Sequence, residues 1–279
     1  MTGSRYTHGH GEAVLDNHAT RTAEDSVGFV LPHLHRDSRV LDVGCGPGSI
    51  TVDLAARVAG LGGAASQVTG VENTEAPLDA ARQLAARRGV EAGFQTGDAY
   101  ALPFADSSFD IVLAHQVLQH LADPVAALRE FARVCAPGGV VAVRDADYAG
   151  MHFHPETEGM LRWRDNYRAR ARGNGGEPDA GRHLVRWALD AGFLPGQISA
   201  GTSTWFYSAG RADGTGHAGR PGWLADSWIK RTRDAAACEA GETGIAEADV
   251  AAICRGWQQW AADLSAVFVM PHGELLVRM

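Results

Sequence analysis

Val40-Leu41-Asp42-Val43-Gly44-Cys45-Gly46-Pro47-Gly48 is an apolar run carrying one acid, followed by three glycines in five residues. Ser49 and the helix-favouring Ile50-Thr51-Val52-Asp53-Leu54-Ala55-Ala56 come next. The pattern predicts strand, tight turn and helix. Glycines at such a turn permit positive φ and let backbone N–H groups approach a ligand, while the helix that follows presents its N-terminus to negative charge. A nucleotide-like ligand is the expected occupant.

The glycine spacing narrows the choice of nucleotide. A dinucleotide fingerprint needs G-x-G-x-x-G so that a pyrophosphate can sit on the helix N-terminus, and the last of those positions is Ser49 here. The D-V-G-C-G-P-G frame instead resembles motif I of the class I S-adenosylmethionine (SAM) methyltransferases. The resemblance implies a loop wrapped around the methionine end of the cofactor, with Asp42, Gly44, Cys45 and Gly46 as its neighbours. It also implies a Rossmann-like α/β fold: a seven-stranded, mostly parallel sheet with helices on both faces.

Further stretches follow in that family's order. Val68-Thr69-Gly70-Val71 predicts a second strand ending at Glu72. An acid at the end of the second strand, about 20 residues past the loop, can accept from both hydroxyls of an adenosine ribose. A solvated strand-end carboxylate is the plainer alternative. The family often uses the next residue too, which adds Asn73. Thr96-Gly97-Asp98-Ala99-Tyr100-Ala101-Leu102-Pro103-Phe104 matches the G-D-A-x-x-L-P-F segment. By that resemblance Asp98 accepts from the adenine amine and the Ala99 N–H reaches a ring nitrogen, with Gly97 beside them; a carboxylate suits an amine donor. Ser108 to Ala114 predicts a fourth strand like the F-D-x-V segment, and His115, Gln116 and His120 follow at its carboxyl end, where ligands bind in open α/β sheets. Cys135-Ala136-Pro137-Gly138-Gly139 stands for the L-x-P-G-G turn, and Val140 to Val143 for a fifth strand. The last two strands are expected over 197–207 and 266–270, with a tail at 275–277.

Residues 1–37 are expected to form an N-terminal helical cap, and residues 38–279 the methyltransferase domain. Residues 1–37 also hold His18, and the pattern Tyr6-Thr7-His8-Gly9-His10 followed by Arg21-Thr22-Ala23-Glu24-Asp25-Ser26 resembles the N-terminal part of the ubiquinone/menaquinone-biosynthesis branch, where such segments close over the cofactor; a disordered start with chance histidines fits Tyr6 to His10 as well. Residues 211–263 form an insertion before the last strand, too long for a plain hairpin loop, and hold Trp223, Trp228, Trp257 and Trp260. They read as a lid or substrate wall, although tryptophans at helical spacing also suit a core.

Methyl transfer is an in-line displacement that gains most from positioning and exclusion of water. A base helps only for acceptors that carry a proton, and a pKa near working pH favours histidine. His152, His154 and Tyr148 lie in the segment after strand five, which in the family lies over the substrate, so they are the catalytic candidates. Asp145, Asp147 and His152 could be read as a Mg²⁺ site, but no second acidic cluster accompanies them and no metal is expected.

The formal net charge of −8 and the absence of any Lys/Arg run argue against a nucleic-acid backbone as partner, since phosphate binding needs clustered cations. The sequence holds neither a long apolar run that would span a bilayer nor a basic-then-apolar start, so a cytoplasmic protein is expected. Cys45, Cys135, Cys238 and Cys254 are too scattered for a disulfide framework or zinc knuckle. A homodimer remains open. The expected activity is methyl transfer from SAM, leaving S-adenosylhomocysteine, to an oxygen, nitrogen or carbon of a small molecule such as a quinone or secondary metabolite. The alternatives are a SAM-binding protein that transfers no methyl group and an NAD-dependent oxidoreductase, the latter opposed by Ser49.

Overall fold

A computed structural model describes residues 21–209, 221–238 and 245–279. Tyr6, His8, His10 and His18 lie outside the described residues. The chain enters through α1 (Ala23–Val27) and a 3-10 turn over Gly28–His33. Thr22 and Asp25 form a reciprocal capping box that satisfies two N–H groups of the short helix. Strand and helix then alternate: β1 (Val40–Val43), α2 (Ser49–Gly60), β2 (Val68–Glu72), α3 (Glu75–Arg88), β3 (Gly93–Thr96), β4 (Phe109–His115), α4 (Pro124–Val134) and β5 (Cys135–Ala146). Local chemistry sets these limits. Asp123 caps α4 with a proline in the first turn, and Gly89 ends α3 with φ 64°.

Beyond β5 come β6 (His152–His154), α5 (Glu158–Gly173), α6 (Leu184–Ala191), β7 (Ile198–Ser208), α7 (Pro221–Cys238), α8 (Glu247–Ala262) and β8 (Val267–Arg278). The strands form one eight-stranded sheet. Parallel pairing joins β3, β2, β1, β4 and β5 in that order. β8 runs antiparallel to β5 through residues 272–278, to β6 through 267–269 and to β7 along 267–277. All strands except β8 therefore point the same way. The expected seven strands are present. The eighth is β6, in a segment read from the sequence as loop, where Phe153 is buried between the exposed His152 and His154. The final strand and its tail are one continuous strand rather than two pieces.

Alternation along the strands divides the core between the sheet's two faces. Val40, Val68, Ile111, Leu113, Val140, Ala142 and Leu276 pack under α1 and α2. Leu41, Val71, Val112, Val141, Val143, Leu275 and Val277 pack under α4 and α6. A third cluster joins α5, α7 and α8 to Phe268 of β8. In it Trp163 meets Trp228 and Trp257 edge-on, with ring centroids 4.6 and 4.8 Å apart. Trp257 and Trp260 are fully buried. These two insertion tryptophans are core residues, whereas Trp228 serves both core and cavity wall.

Replacing Trp257 with alanine removes the centre of this third cluster. We expect Trp257→Ala to cost about 3–5 kcal/mol of unfolding free energy, read from the urea midpoint. A loss below about 1 kcal/mol would show that the cluster adds little to stability.

Candidate active site

The glycine turn takes its shape from its surroundings. Gly44 has φ 71°, and a Cβ on it would stand 2.4 Å from Cγ2 of Val117, so only glycine lets the turn lie against the segment after β4. The Gly44 and Cys45 N–H groups donate to the Val71 carbonyl at 2.8 and 3.0 Å, tying the turn to the end of β2. There the Glu72 carboxylate accepts from the Gly46 N–H at 3.1 Å and from the Asn73 N–H at 2.9 Å. Gly97 donates to the Glu72 carbonyl at 2.9 Å, which brings the next segment alongside. Asp98 is exposed and accepts from the Tyr100 N–H at 2.9 Å, and the half-buried Ala99 packs on the core. Gly44, Gly46, Glu72, Asn73, Gly97, Asp98 and Ala99 are thus gathered at the carboxyl ends of β1, β2 and β3.

Asp42 and Cys45 point elsewhere. The Asp42 side chain is buried and accepts from the Thr51 hydroxyl at 2.6 Å, holding the first turn of α2. Burial pushes its pKa up to about 7. The Cys45 thiol fills the space that a side chain on Gly70 would need, and burial raises its pKa well above the ordinary value, so it is a packing group rather than a nucleophile.

At the end of β4, Gln116 adopts φ 57° and its N–H donates to the Arg144 carbonyl at 2.7 Å. Its side chain is held at both ends. Arg21 donates to Oε1 at 2.9 Å, and Nε2 lies 2.9 Å from Nε2 of the fully buried His272. His272 Nδ1 lies 3.0 Å from the Met270 carbonyl, which can only accept, so Nδ1 carries the proton and Nε2 accepts from Gln116. His115 is buried beside this chain, its ring 5.8 Å from that of Trp205 and 6.4 Å from that of His272. His120 is buried with Nε2 3.1 Å from the Gln119 amide nitrogen. Burial, reinforced by the charge of Arg21, lowers its pKa to about 3, which keeps the ring neutral.

Comparison with known proteins fits this geometry. A family model described as a methyltransferase domain matches residues 41–143. The chain is 33% identical over 281 residues to an uncharacterised methyltransferase of Schizosaccharomyces pombe, covering 98% of this chain and 96% of that one. The chain belongs to the class I SAM-dependent methyltransferases. It is also 32% identical over 149 residues to the 27-O-demethylrifamycin SV methyltransferase of Amycolatopsis mediterranei, covering 52% of each chain. The crystal structure of the cyclase SpnF shares the fold at a TM-score of 0.51 and 24% identity, covering 95% of this chain and 79% of that one.

The observed donor set of this methyltransferase suits SAM. A carboxylate held by two backbone N–H groups stands at the end of β2, and the turn beside it has no room for a side chain at Gly44 or Gly48. Next to this half lies a small cavity of about 40 Å³, bounded by Arg21, Gln116, Tyr148, Trp205, Trp228 and Arg231 among others. Tyr148 is buried with its ring 4.2 Å from that of Tyr167. Burial raises the Tyr148 pKa, so the phenol keeps its proton and can donate. The other two catalytic candidates are placed differently. His152 and His154 are exposed on β6 and do not bound the cavity, because the strand alternation that buries Phe153 turns them outward.

The two acids read against a metal site are engaged elsewhere. Asp145 is buried and accepts from the Gln119 N–H at 3.0 Å, and Asp147 pairs with Arg182 at 2.7 Å. Among the described residues no group of three His, Cys, Asp or Glu side chains comes together to hold a metal.

Sequence reasoning assigned no role to Arg144, Trp205, Arg231 or His272. Arg144 is 1% exposed, its Nε donating to the Ser203 hydroxyl at 2.8 Å and lying 3.4 Å from Glu274. Burial pulls its pKa down to about 10, with Glu274 acting in the opposite direction, and the group stays cationic. The one visible hint was an arginine directly after the apolar run of the fifth strand.

Asp42 gives the turn a pH signature. Its folded-state pKa of about 7 exceeds the ordinary value of 3.8, so its contribution is present below the lower value and lost as pH rises through 7. We therefore expect Asp42→Asn to gain stability relative to the parent protein between pH 5 and pH 8, by urea unfolding at both. An equal difference at the two values would show that the carboxyl titrates normally.

Proposed function

We propose that this methyltransferase acts on a small-molecule acceptor, seated in the cavity beside Gln116, by in-line displacement. The observation that carries the reading is the position of Gln116. Its neighbour Val117 presses on the glycine turn, while its own side chain walls the cavity, so one short segment borders both halves of the site. The relative from Amycolatopsis mediterranei, named for a small-molecule substrate, supports this acceptor class.

The Gly44–Gly46 turn would hold the methionine end of SAM, the Glu72 carboxylate would accept from the ribose hydroxyls, and Asp98 with the Ala99 N–H would meet the adenine. When bound, SAM supplies a methyl group made electrophilic by the sulfonium. The chain's remaining work is to orient the acceptor and exclude water, which the aromatic walls and Leu224 and Trp228 of α7 do. Tyr148, protonated and buried, donates a hydrogen bond to the acceptor. His115 ends β4, Gln116 follows it into the cavity wall and burial keeps His120 neutral, and no base among them is needed for an acceptor that arrives deprotonated.

Calorimetric titration with SAM, S-adenosylhomocysteine and NAD tests the cofactor half. Micromolar binding of both sulfur nucleosides and none of NAD is expected. Glu72→Ala should weaken SAM binding on the order of 2–3 kcal/mol, the loss of two hydrogen bonds to a charged group. Unchanged affinity in that variant would remove Glu72 from the site.

Product formation from a screened acceptor, followed by mass, tests the catalytic half. Tyr148→Phe should lower turnover roughly tenfold, as the loss of one hydrogen bond implies. The double variant His152→Ala, His154→Ala should keep turnover within about twofold, since side chains off the cavity cannot reach an acceptor. The reverse pattern would return catalysis to β6.

A further inference from the structure

The segment after β4 keeps its place against the glycine turn without a cap of its own. Leu118–His120 form a single 3-10 turn, and Val117 before it supplies no side-chain acceptor for its leading N–H groups. Leading N–H groups have no partner inside a helical turn and are costly when buried. Leu118, Gln119 and His120 are all buried, so the acceptor has to come from elsewhere in the protein.

It comes from the neighbouring strand. Two successive residues at the end of β5 each take one N–H of the segment: the Arg144 carbonyl accepts from Gln116 at 2.7 Å, and the Asp145 carboxyl accepts from Gln119 at 3.0 Å. The Leu118 and Val117 N–H groups act on the same carboxyl in the same sense. Alternation along β5 puts the Asp145 side chain on the face of Val141 and Val143, where Leu118 also packs.

A carboxyl is an expensive group to place there. Asp145 is 0% exposed, and its second oxygen meets no hydrogen-bond partner among the described residues. Burial pushes its pKa up to about 7, with the three N–H groups and the charge of Arg144 acting the other way. An apolar residue of similar size would avoid that cost, but it would leave the Gln119 N–H without an acceptor.

The turn so held carries both halves of the site. Val117 fills the space over Gly44, where a Cβ would stand 2.4 Å from its Cγ2, and Gln116 walls the cavity. A shift of the turn therefore changes both at once. We propose that Asp145 is a positioning residue of the cofactor site, gripping the Leu118–His120 turn from β5 so that Val117 stays pressed on Gly44. The inference rests on the Gly44–Gly46 turn being where SAM is held. It gives a function in cofactor binding to an acid wholly inside the fold.

The test is calorimetric titration of S-adenosylhomocysteine into the full chain carrying Asp145→Leu, Asp145→Asn, Val117→Ala, or Asp145→Leu together with Val117→Ala. Leucine fills the place and cannot accept, whereas asparagine keeps an acceptor oxygen of the same reach. Asp145→Leu should weaken binding at least about tenfold, and Asp145→Asn should stay within about threefold of the parent protein, as the loss and the retention of one buried hydrogen bond imply. The double variant should bind about as well as Asp145→Leu alone, because both substitutions break one path. Urea unfolding establishes that each variant is folded under the titration conditions, and Asp145→Ser takes the place of Asp145→Leu if that variant is not. Parental affinity in Asp145→Leu, equal losses in Asp145→Leu and Asp145→Asn, or losses that multiply in the double variant would overturn the proposal while leaving the cofactor site standing. A parent protein that binds no S-adenosylhomocysteine would overturn the cofactor reading, and this inference with it.

Discussion

The site depends on one chain of hydrogen bonds, from Arg21 through Gln116 and His272 to the Met270 carbonyl. Each link fixes the polarity of the next: the arginine can only donate, so the amide oxygen faces it, the amide nitrogen faces the histidine, and the histidine proton faces the backbone. The chain joins the segment before α1, the end of β4 and the middle of β8. Gln116 is thereby held in a left-handed conformation unusual for a residue with a side chain, at the border of the two halves of the site. The entry segment is anchored in turn, since Ala23 N–H donates to Asp53 of α2 at 2.7 Å and the Trp205 indole donates to the Asp25 carbonyl at 3.2 Å.

Around that chain the protein divides its polar burial by purpose. Asp42 and Asp145 are taken out of water to hold a helix start and a backbone N–H, His120 lies against the Gln119 side chain, and burial drives all three toward their neutral forms. Arg144 cannot follow them, because a guanidinium keeps its charge even when its pKa falls to about 10. Glu274, the Ser203 hydroxyl and the face of Trp205 are what the fold provides in compensation. The buried acids thus give up their charge where they hold backbone, whereas Arg144 keeps its charge inside the fold.

The cofactor half was legible in the sequence because its parts are local. A glycine turn, an acid at a strand end and a G-D-A segment each declare themselves within a few residues, and β1, β2 and β4 fell where their apolar runs put them. The fold of the second half was legible in outline, with β7 and β8 near their expected limits. The grouping around the cavity was not legible, since Arg21, Gln116, Trp205 and Arg231 come from four separate segments that meet only after β7 and β8 have added to the sheet. In the sequence, His152 and His154 read as loop residues for a related reason. A histidine in a loop can face a substrate, but three residues paired with β8 become a strand, and alternation then sends both imidazoles outward.

The single strand that opposes all the others also governs the order in which this molecule can be completed. β5 is the last strand laid down by simple strand–helix alternation, and its outer edge offers a row of unpaired peptide groups until β8 arrives. At roughly 5–20 residues per second of synthesis, that arrival comes on the order of ten seconds later. During the interval the growing chain holds a nearly finished cofactor half with an open, apolar flank. Such an edge is a template for pairing with other chains until β8 covers it.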